Sequence, residues 1–310
     1  MSDPADVSRT RAWLMAARPH TLPAAASPVI VGTGLAVGEG VFAPVTALAA
    51  LLGAALIQIG TNFANDYYDA EKGADTDERE GFTRVTQSGL IPPGQVFRAT
   101  YATFALAILV GVYLVWVGGL PIVVVGLASV AAGLLYTGGP YPYGYYGMGD
   151  AFVFVFFGVV AVTGTYYVQA ASAVAGVPRW IPPGTVPVEA LVASLPMAAL
   201  ITNILVVNNV RDMETDRKAG KYTLAVYLGY AGSRIEFLAL LALAYLVPFW
   251  FLASGYGYPV LLPLVSLPIA AALTRTVLTE TTGDALNPAL SRAGRLAALY
   301  AVLFAVGLAL

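Results

Sequence analysis

Asn62, Asn65, Asp66 and Asp69 stand at spacings of three, four and seven residues. On a helix all four share one face. A second set, Asn208, Asp212 and Asp216, stands at i, i+4 and i+8, about 146 residues further on. Carboxylates gathered this way repel one another unless a cation sits between them. Their ligands are oxygen only. The chain has no cysteine and one histidine, His20, so a thiolate site or a histidine cluster is excluded. Oxygen-only donors favour Mg2+ over zinc, and Mg2+ commonly takes one or two protein carboxylates plus phosphate oxygens and water. Two Asp sets facing each other therefore fit magnesium bridging a diphosphate. All three lysines, Lys72, Lys218 and Lys221, lie beside these sets, with Arg79, Arg84, Arg211 and Arg217. Arg grips phosphate oxygens bidentately and Lys acts as a point charge. Charged loops are also charged because they are wet, and for each basic residue that reading stays open.

A third stretch is aromatic. Residues 136–150 carry Tyr136, Tyr141, Tyr143, Tyr145 and Tyr146 among glycines and prolines, and end on the lone acid Asp150. Phe156, Phe157, Tyr166 and Tyr167 follow. Tyrosines are enriched as interface anchors in membranes, and Asp150 also suits a helix cap. The functional reading is a lining for an aromatic acceptor, drawn from Tyr136, Tyr143, Tyr145 and Tyr167, that also shields a carbocation through its π faces. A diphosphate beside lipid-facing helices points to an isoprenoid diphosphate, ionised with help from the metal and the basic residues.

The elements that must position these groups are membrane helices. The 310 residues are 58% hydrophobic and 11% charged, with a mean hydropathy of +0.74, whereas soluble domains carry about 25% charged residues. A net charge of −2 gives no sign of nucleic acid. Residues 1–18 are polar and read as a cytoplasmic start rather than a cleavable signal. Apolar runs predict nine spans, at 21–38, 43–65, 99–117, 120–137, 150–173, 188–209, 236–254, 258–278 and 293–310. The last, a short one, is the weakest. With the N-terminus inside, 15 of the 16 basic residues fall on cytoplasmic segments or the helix ends beside them, Arg179 being the exception. Both Asp sets then lie on the cytoplasmic side. Their recurrence reads as a degenerate repeat within one domain, with halves of about 1–137 and 138–310. Within 66–84, Asp77, Glu78 and Glu80 read as solvated loop charges, and Asp75 stays undecided. A secondary transporter, with carboxylates near the bilayer midplane, is the competing class.

These motifs resemble the UbiA-type superfamily of intramembrane aromatic prenyltransferases, and within it the 1,4-dihydroxy-2-naphthoate polyprenyltransferases of menaquinone biosynthesis. The resemblance rests on Arg18-Pro-His20-Thr21-Leu-Pro23; Asn62-xx-Asn65-Asp66-xx-Asp69 with Lys72-Gly73-x-Asp75; Arg84-Val-Thr-Gln87-Ser-Gly89; Tyr136-Thr-Gly-Gly-Pro, Pro142-Tyr143-Gly144-Tyr145, Gly147-x-Gly149-Asp150 and Phe156-Phe157-Gly158; and Asn208-Asn209-x-Arg211-Asp212-xxx-Asp216 with Lys221-x-Thr223-Leu224. It covers nearly the whole chain. The wider superfamily often carries a further Asp where this chain has Gly73, in keeping with the naphthoate branch. The resemblance implies an all-α protein of nine transmembrane helices around a central cavity, in the cell membrane. Asp66, Asp69, Asp212 and Asp216 would bind Mg2+ and diphosphate, helped by Asn62, Asn65, Asn208, Lys72, Arg84, Arg211 and Lys221. The substrates implied are a polyprenyl diphosphate and 1,4-dihydroxy-2-naphthoate, joined with loss of CO2 and diphosphate to give demethylmenaquinone. Asp150 is placed near the acceptor hydroxyl. An arginine for the acceptor carboxylate is expected but not identifiable. Homogentisate, 4-hydroxybenzoate or a glyceryl phosphate are the alternative acceptors.

Overall fold

Apolar runs separated by glycine and proline fold as helices, and in lipid they must, because every backbone polar group needs an internal partner. A computed structural model describes residues 7–72 and 84–310. Gly73, Asp75, Asp77, Glu78, Arg79 and Glu80 lie outside the described residues. In chain order the helices are α1 (Arg9–Ala17), α2 (Leu22–Gly38), α3 (Pro44–Glu71), α4 (Pro93–Gly118), α5 (Leu120–Leu135), α6 (Gly149–Val153), α7 (Ala161–Ala171), α8 (Val188–Arg211), α9 (Met213–Lys218), α10 (Leu224–Ala253), α11 (Leu267–Thr279) and α12 (Gly283–Ala309). A π-helical turn, Phe154–Val160, joins α6 to α7, and a 3-10 stretch, Tyr258–Ser266, precedes α11. Among the described residues the only β pairing is an isolated bridge between Tyr146 and Tyr222.

Among the described residues eight helical segments are long and apolar enough to cross a membrane; α5, with 16 residues, is shorter. The expected boundaries shift at several places. The span expected at 43–65 continues to Glu71. Proline at the start of α3 costs no hydrogen bond, since the first N–H groups of a helix are unpaired anyway. At 28 residues α3 is about 42 Å long, against a hydrocarbon core of about 30 Å. Its last turns, with Asn62 to Asp69, therefore reach the membrane edge or beyond. The expected 236–254 falls within α10 except for Ser254, its C-cap, and the first turns of the helix are set off by Gly229 at φ 65°. The last span is not short: α12 starts at Gly283 and runs 27 residues. Asp150 is the second residue of α6, and Met148 is its N-cap.

Small residues set the closest approaches. A Cβ on Gly34 would lie 2.5 Å from the Ala305 Cα, so α2 and α12, from opposite ends of the chain, pack backbone to backbone. The π turn presses Gly158 against Ala198 of α8, where a Cβ would overlap both side chain and backbone. Gly158→Ala should therefore lower thermal stability in detergent, by about 1–3 kcal/mol on the scale of overpacking; an unchanged melting temperature would contradict this packing. The main core lies among α2, α7, α8, α10 and α12. A smaller cluster of Ala12, Ala16, Phe63, Val85, Ile91 and Val96 ties α1 and the 85–96 segment to α3.

Candidate functional site

Residues of both Asp sets and their basic partners line the polar end of a cavity of about 870 Å³. Asn62, Asn65, Asp69, Arg84, Asn208, Arg211 and Lys221 line that end. Tyr136, Tyr143, Phe152, Phe156 and Phe157 form an aromatic wall, and Ile57, Ile108, Val112, Val115, Val123 and Leu127 are among the apolar residues that line the cavity from α3, α4 and α5. One continuous space thus joins a charged rim to an apolar bore.

The first Asp face divides on folding. Asp66 accepts from the backbone N–H groups of Val85 (3.2 Å) and Thr86 (2.9 Å), with Arg18 at 3.6 Å. It anchors the 84–91 segment under α3. Asp69 accepts from Arg84 at 3.1 Å and from the Tyr145 hydroxyl at 2.8 Å. Asn62 donates to the Ala17 carbonyl (3.0 Å) and Thr21 hydroxyl (2.9 Å), fixing the entry to α2. Asn65 accepts from Thr137 at 3.0 Å. Lys72 donates to the carbonyls of Thr137 and Gly139. Burial lowers the Lys72 ammonium below its ordinary pKa, while Asp69 pulls it up.

The second set keeps its register across a helix break. The Asp212 N–H donates to the Asn208 carbonyl at 3.0 Å, and the Asp216 N–H to the Asp212 carbonyl at 2.8 Å. Asp212 is gripped by Arg211 through Nε (2.7 Å) and Nη2 (2.6 Å). That guanidinium also donates to Asn208 and to Asn287 of α12, both at 2.9 Å. Asp216 pairs with Lys221 at 3.4 Å. Each carboxylate of the rim is therefore matched by a basic group, and the cations rather than Asp212 and Asp216 face the cavity.

Tyr145 joins the halves. Its hydroxyl holds Asp69 from the first set. Its carbonyl accepts from the Tyr222 N–H at 3.0 Å. Its ring lies under Lys72 (5.3 Å) and Lys221 (5.8 Å), one cation from each set. Tyr145→Phe keeps the ring and loses the charge-assisted bond to Asp69, so kcat/KM for the diphosphate substrate should fall about tenfold. Kinetics at varied diphosphate concentration check this; an unchanged value removes Tyr145 from the junction.

The aromatic wall is built by the Tyr136–Asp150 segment. Tyr143 stacks on Phe152 at 4.0 Å, meets Tyr136 edge-on at 5.4 Å, and donates to the Ala132 carbonyl at 2.6 Å. Burial raises the Tyr136 phenol well above its usual pKa, with Asp150 adding to the effect, and burial raises Tyr143 too. Both stay neutral π faces. Asp150 is buried behind this wall, with no hydrogen-bond partner for Oδ2 among the described residues. Tyr145 sits at the rim junction rather than on the cavity wall. Tyr167 packs with Ile122 and Val168 and donates to the Gly118 carbonyl at 2.6 Å, away from the cavity lining. Sequence reasoning did not single out Thr61, Ser291 and Arg295 as lining residues. The last two come from α12, whose early start was not visible in the sequence.

Residues 25–299 match the UbiA prenyltransferase family. The chain is 39% identical to the 1,4-dihydroxy-2-naphthoate octaprenyltransferase of Escherichia coli, covering 97% of this chain and 96% of that protein. It is 38% identical to the protein of the same name from Mycobacterium tuberculosis, covering 96% of each. Among solved structures, a UbiA homolog from Aeropyrum pernix superimposes with a TM-score of 0.70 at 12% identity, over 92% of this chain and 96% of that one. A UbiA homolog from Archaeoglobus fulgidus, bound to DMAPP and Mg2+, does so with a TM-score of 0.59 at 17% identity, over 95% and 99%.

Proposed function

The chain belongs to the UbiA prenyltransferase family, and from that membership and the cavity we propose that it transfers a polyprenyl group from polyprenyl diphosphate to 1,4-dihydroxy-2-naphthoate. The observation that carries the reading is the single cavity that joins a cation-rich rim to an apolar bore. A diphosphate head and an isoprenoid tail need those two environments in that order. The acceptor follows from relatives of that name at 39% and 38% identity over nearly the whole chain.

Arg84, Arg211 and Lys221 face the cavity and would grip the diphosphate, with Lys72, Asn62, Asn65 and Asn208 completing the polar end. Asp66, Asp69, Asp212 and Asp216 are the residues that would hold Mg2+. The donor set fits: it is all oxygen, in pairs one helical turn apart. Among the described residues no three acidic, His or Cys groups converge on one point. Such pairs suit Mg2+, which completes its shell with phosphate oxygens and water. When bound, the metal offsets the charge that develops on the leaving diphosphate. The basic groups that now neutralise the carboxylates would turn to phosphate oxygens as the carboxylates take up the metal.

The C–O bond of the allylic diphosphate breaks with its electron pair going to diphosphate. The ring carbon that bears the carboxylate forms the new C–C bond to the allylic carbon. The bond to the carboxylate then breaks, releasing CO2 and returning its pair to the ring. The product is the quinol form of demethylmenaquinone. Tyr136, Tyr143, Phe152 and Phe156 exclude water and present π faces to the allylic cation. Deprotonation of the acceptor hydroxyl would make the ring a better nucleophile; Asp150, buried behind the aromatic wall and off the cavity lining, would assist it only through an intervening group.

On this reading α5 crosses the membrane as a ninth, shorter span of about 24 Å, the N-terminus is cytoplasmic, and the rim faces the cytoplasm. The halves, about 1–137 and 138–310, contribute one Asp set each. The test uses purified protein with Mg2+ and a radiolabelled prenyl diphosphate, comparing acceptors. Prenylated product from 1,4-dihydroxy-2-naphthoate is expected. Product from 4-hydroxybenzoate alone would overturn the acceptor assignment.

A further inference from the structure

Five basic residues and His20 line the cavity, and four of the five have acids. Arg18 has Asp66, Arg84 has Asp69, Arg211 has Asp212 and Lys221 has Asp216. The fifth, Arg295, makes no hydrogen bond or ion pair with any described residue. Among the described residues the one carboxylate on the cavity wall, Asp69, is already held by Arg84 and Tyr145.

Arg295 is also well along its helix, with its side chain exposed to the cavity. It is twelve residues inside α12, a helix long enough to cross the membrane. A guanidinium kept there is costly and marks a functional site by default. Asn287, which touches Arg211 at the rim, Ser291 and Arg295 lie at i, i+4 and i+8 on one stripe. Arg295 is thus about 12 Å along the axis from Asn287. Helical side chains lean toward the helix N-terminus, which here is the rim side. Gly294 beside it leaves open space, with nothing within 4 Å of a Cβ placed there. α12 and the π turn both pack on α8 without packing extensively on each other, so Arg295 and Phe156 reach the cavity lining from different elements.

We infer that Arg295 is a carboxylate-binding subsite that orients the aromatic acceptor, holding its carboxylate below the diphosphate rim while the aromatic wall holds the allylic chain. The inference rests on the acceptor proposed above. A guanidinium that forks onto the carboxylate fixes which ring carbon faces the allylic carbon, because the carboxylate is attached to that carbon. It also keeps the carboxylate in place until the new C–C bond has formed. Arg295 is a specificity and positioning residue in this scheme, and no bond is made to it.

The test compares wild type, Arg295→Gln and Arg295→Lys with Mg2+ and a saturating prenyl diphosphate. KM is measured for 1,4-dihydroxy-2-naphthoate, and Ki for 1,4-dihydroxynaphthalene, which lacks the carboxylate. Arg295→Gln is expected to raise the acceptor KM about ten- to hundredfold. The Ki of the carboxylate-free analogue and the KM of the prenyl diphosphate should stay within about twofold. Arg295→Lys should recover part of the loss. Equal losses for both ring compounds, an unchanged acceptor KM, or a loss confined to the prenyl diphosphate each overturn the subsite. If wild type prenylates 4-hydroxybenzoate instead, the acceptor reading fails separately, and the same KM comparison on that carboxylate decides the subsite.

Discussion

Asp212→Ala removes prenyl transfer: kcat/KM falls about a thousandfold or more, the scale of losing a principal stabiliser of developing charge. Two roles of the residue converge on that outcome. Its carboxylate is one of the four proposed to hold Mg2+. It also fixes Arg211 through two bonds, at 2.7 and 2.6 Å, and Arg211 faces the cavity. Without the acid, Arg211 keeps only Asn208 and Asn287 and swings from the geometry that grips phosphate. Asp212→Asn separates the roles, because an amide oxygen still accepts from Arg211 but is a poor magnesium ligand. An asparagine variant nearly as inactive as alanine assigns Asp212 to the metal, and a mostly active one assigns it to Arg211. A buried Arg left without its acid also costs stability, about 3–5 kcal/mol. Activity is therefore normalised to folded protein extracted from the membrane. Full turnover in Asp212→Ala, per folded molecule, would sink the diphosphate site.

The legible part of this site was the part carried by helical periodicity. Asn62, Asn65, Asp66 and Asp69 share a face because α3 is continuous through them. Asn208, Asp212 and Asp216 do so because the backbone bonds from Asp212 to Asn208 and from Asp216 to Asp212 carry the register past the end of α8. What periodicity does not encode is the partner across space. Asp66 is engaged by the amides of Val85 and Thr86, nineteen and twenty residues on, so it supports the rim from beneath. Tyr145 reads as one interface tyrosine among five, yet it holds Asp69 and its ring lies under Lys221, the partner of Asp216. Arg295 was hidden by the run before it. Asp284, Asn287, Pro288, Ser291 and Arg292 read as a loop, with the span expected from 293. In the fold they are the first turns of α12, where Asn287 meets Arg211, Ser291 lines the cavity and Arg292 donates to Thr276. The π turn at Phe154–Val160 leaves no mark either, since one extra residue in a turn does not disturb an all-apolar run. Its visible consequence is the close seat of Gly158 on Ala198.

Removal of Mg2+ with a chelator abolishes turnover, and added Mg2+ restores it, with Mn2+ a partial substitute. The reason lies in the charge of the rim. Four carboxylates, Asp66, Asp69, Asp212 and Asp216, stand against five basic groups, Arg18, Lys72, Arg84, Arg211 and Lys221. The rim is close to neutral before substrate arrives. A prenyl diphosphate brings about three negative charges, and ionisation leaves one more on the departing group. The basic groups cannot serve the phosphates and the carboxylates at once. If they turn to the diphosphate, four acids are left bare in a site walled by apolar helices, a cost that grows as the dielectric falls. Divalent cations held by Asp66, Asp69, Asp212 and Asp216 would resolve the conflict by neutralising the acids, leaving the arginines and lysines free for the head group. The loss on chelation should therefore fall on kcat as well as on the KM for prenyl diphosphate, while the KM for the acceptor, held away from the rim, moves little. A transporter with these acids at work on a monovalent ion would keep its activity in the chelator. Prenyl transfer that survives exhaustive chelation would mean that the basic residues alone stabilise the leaving group.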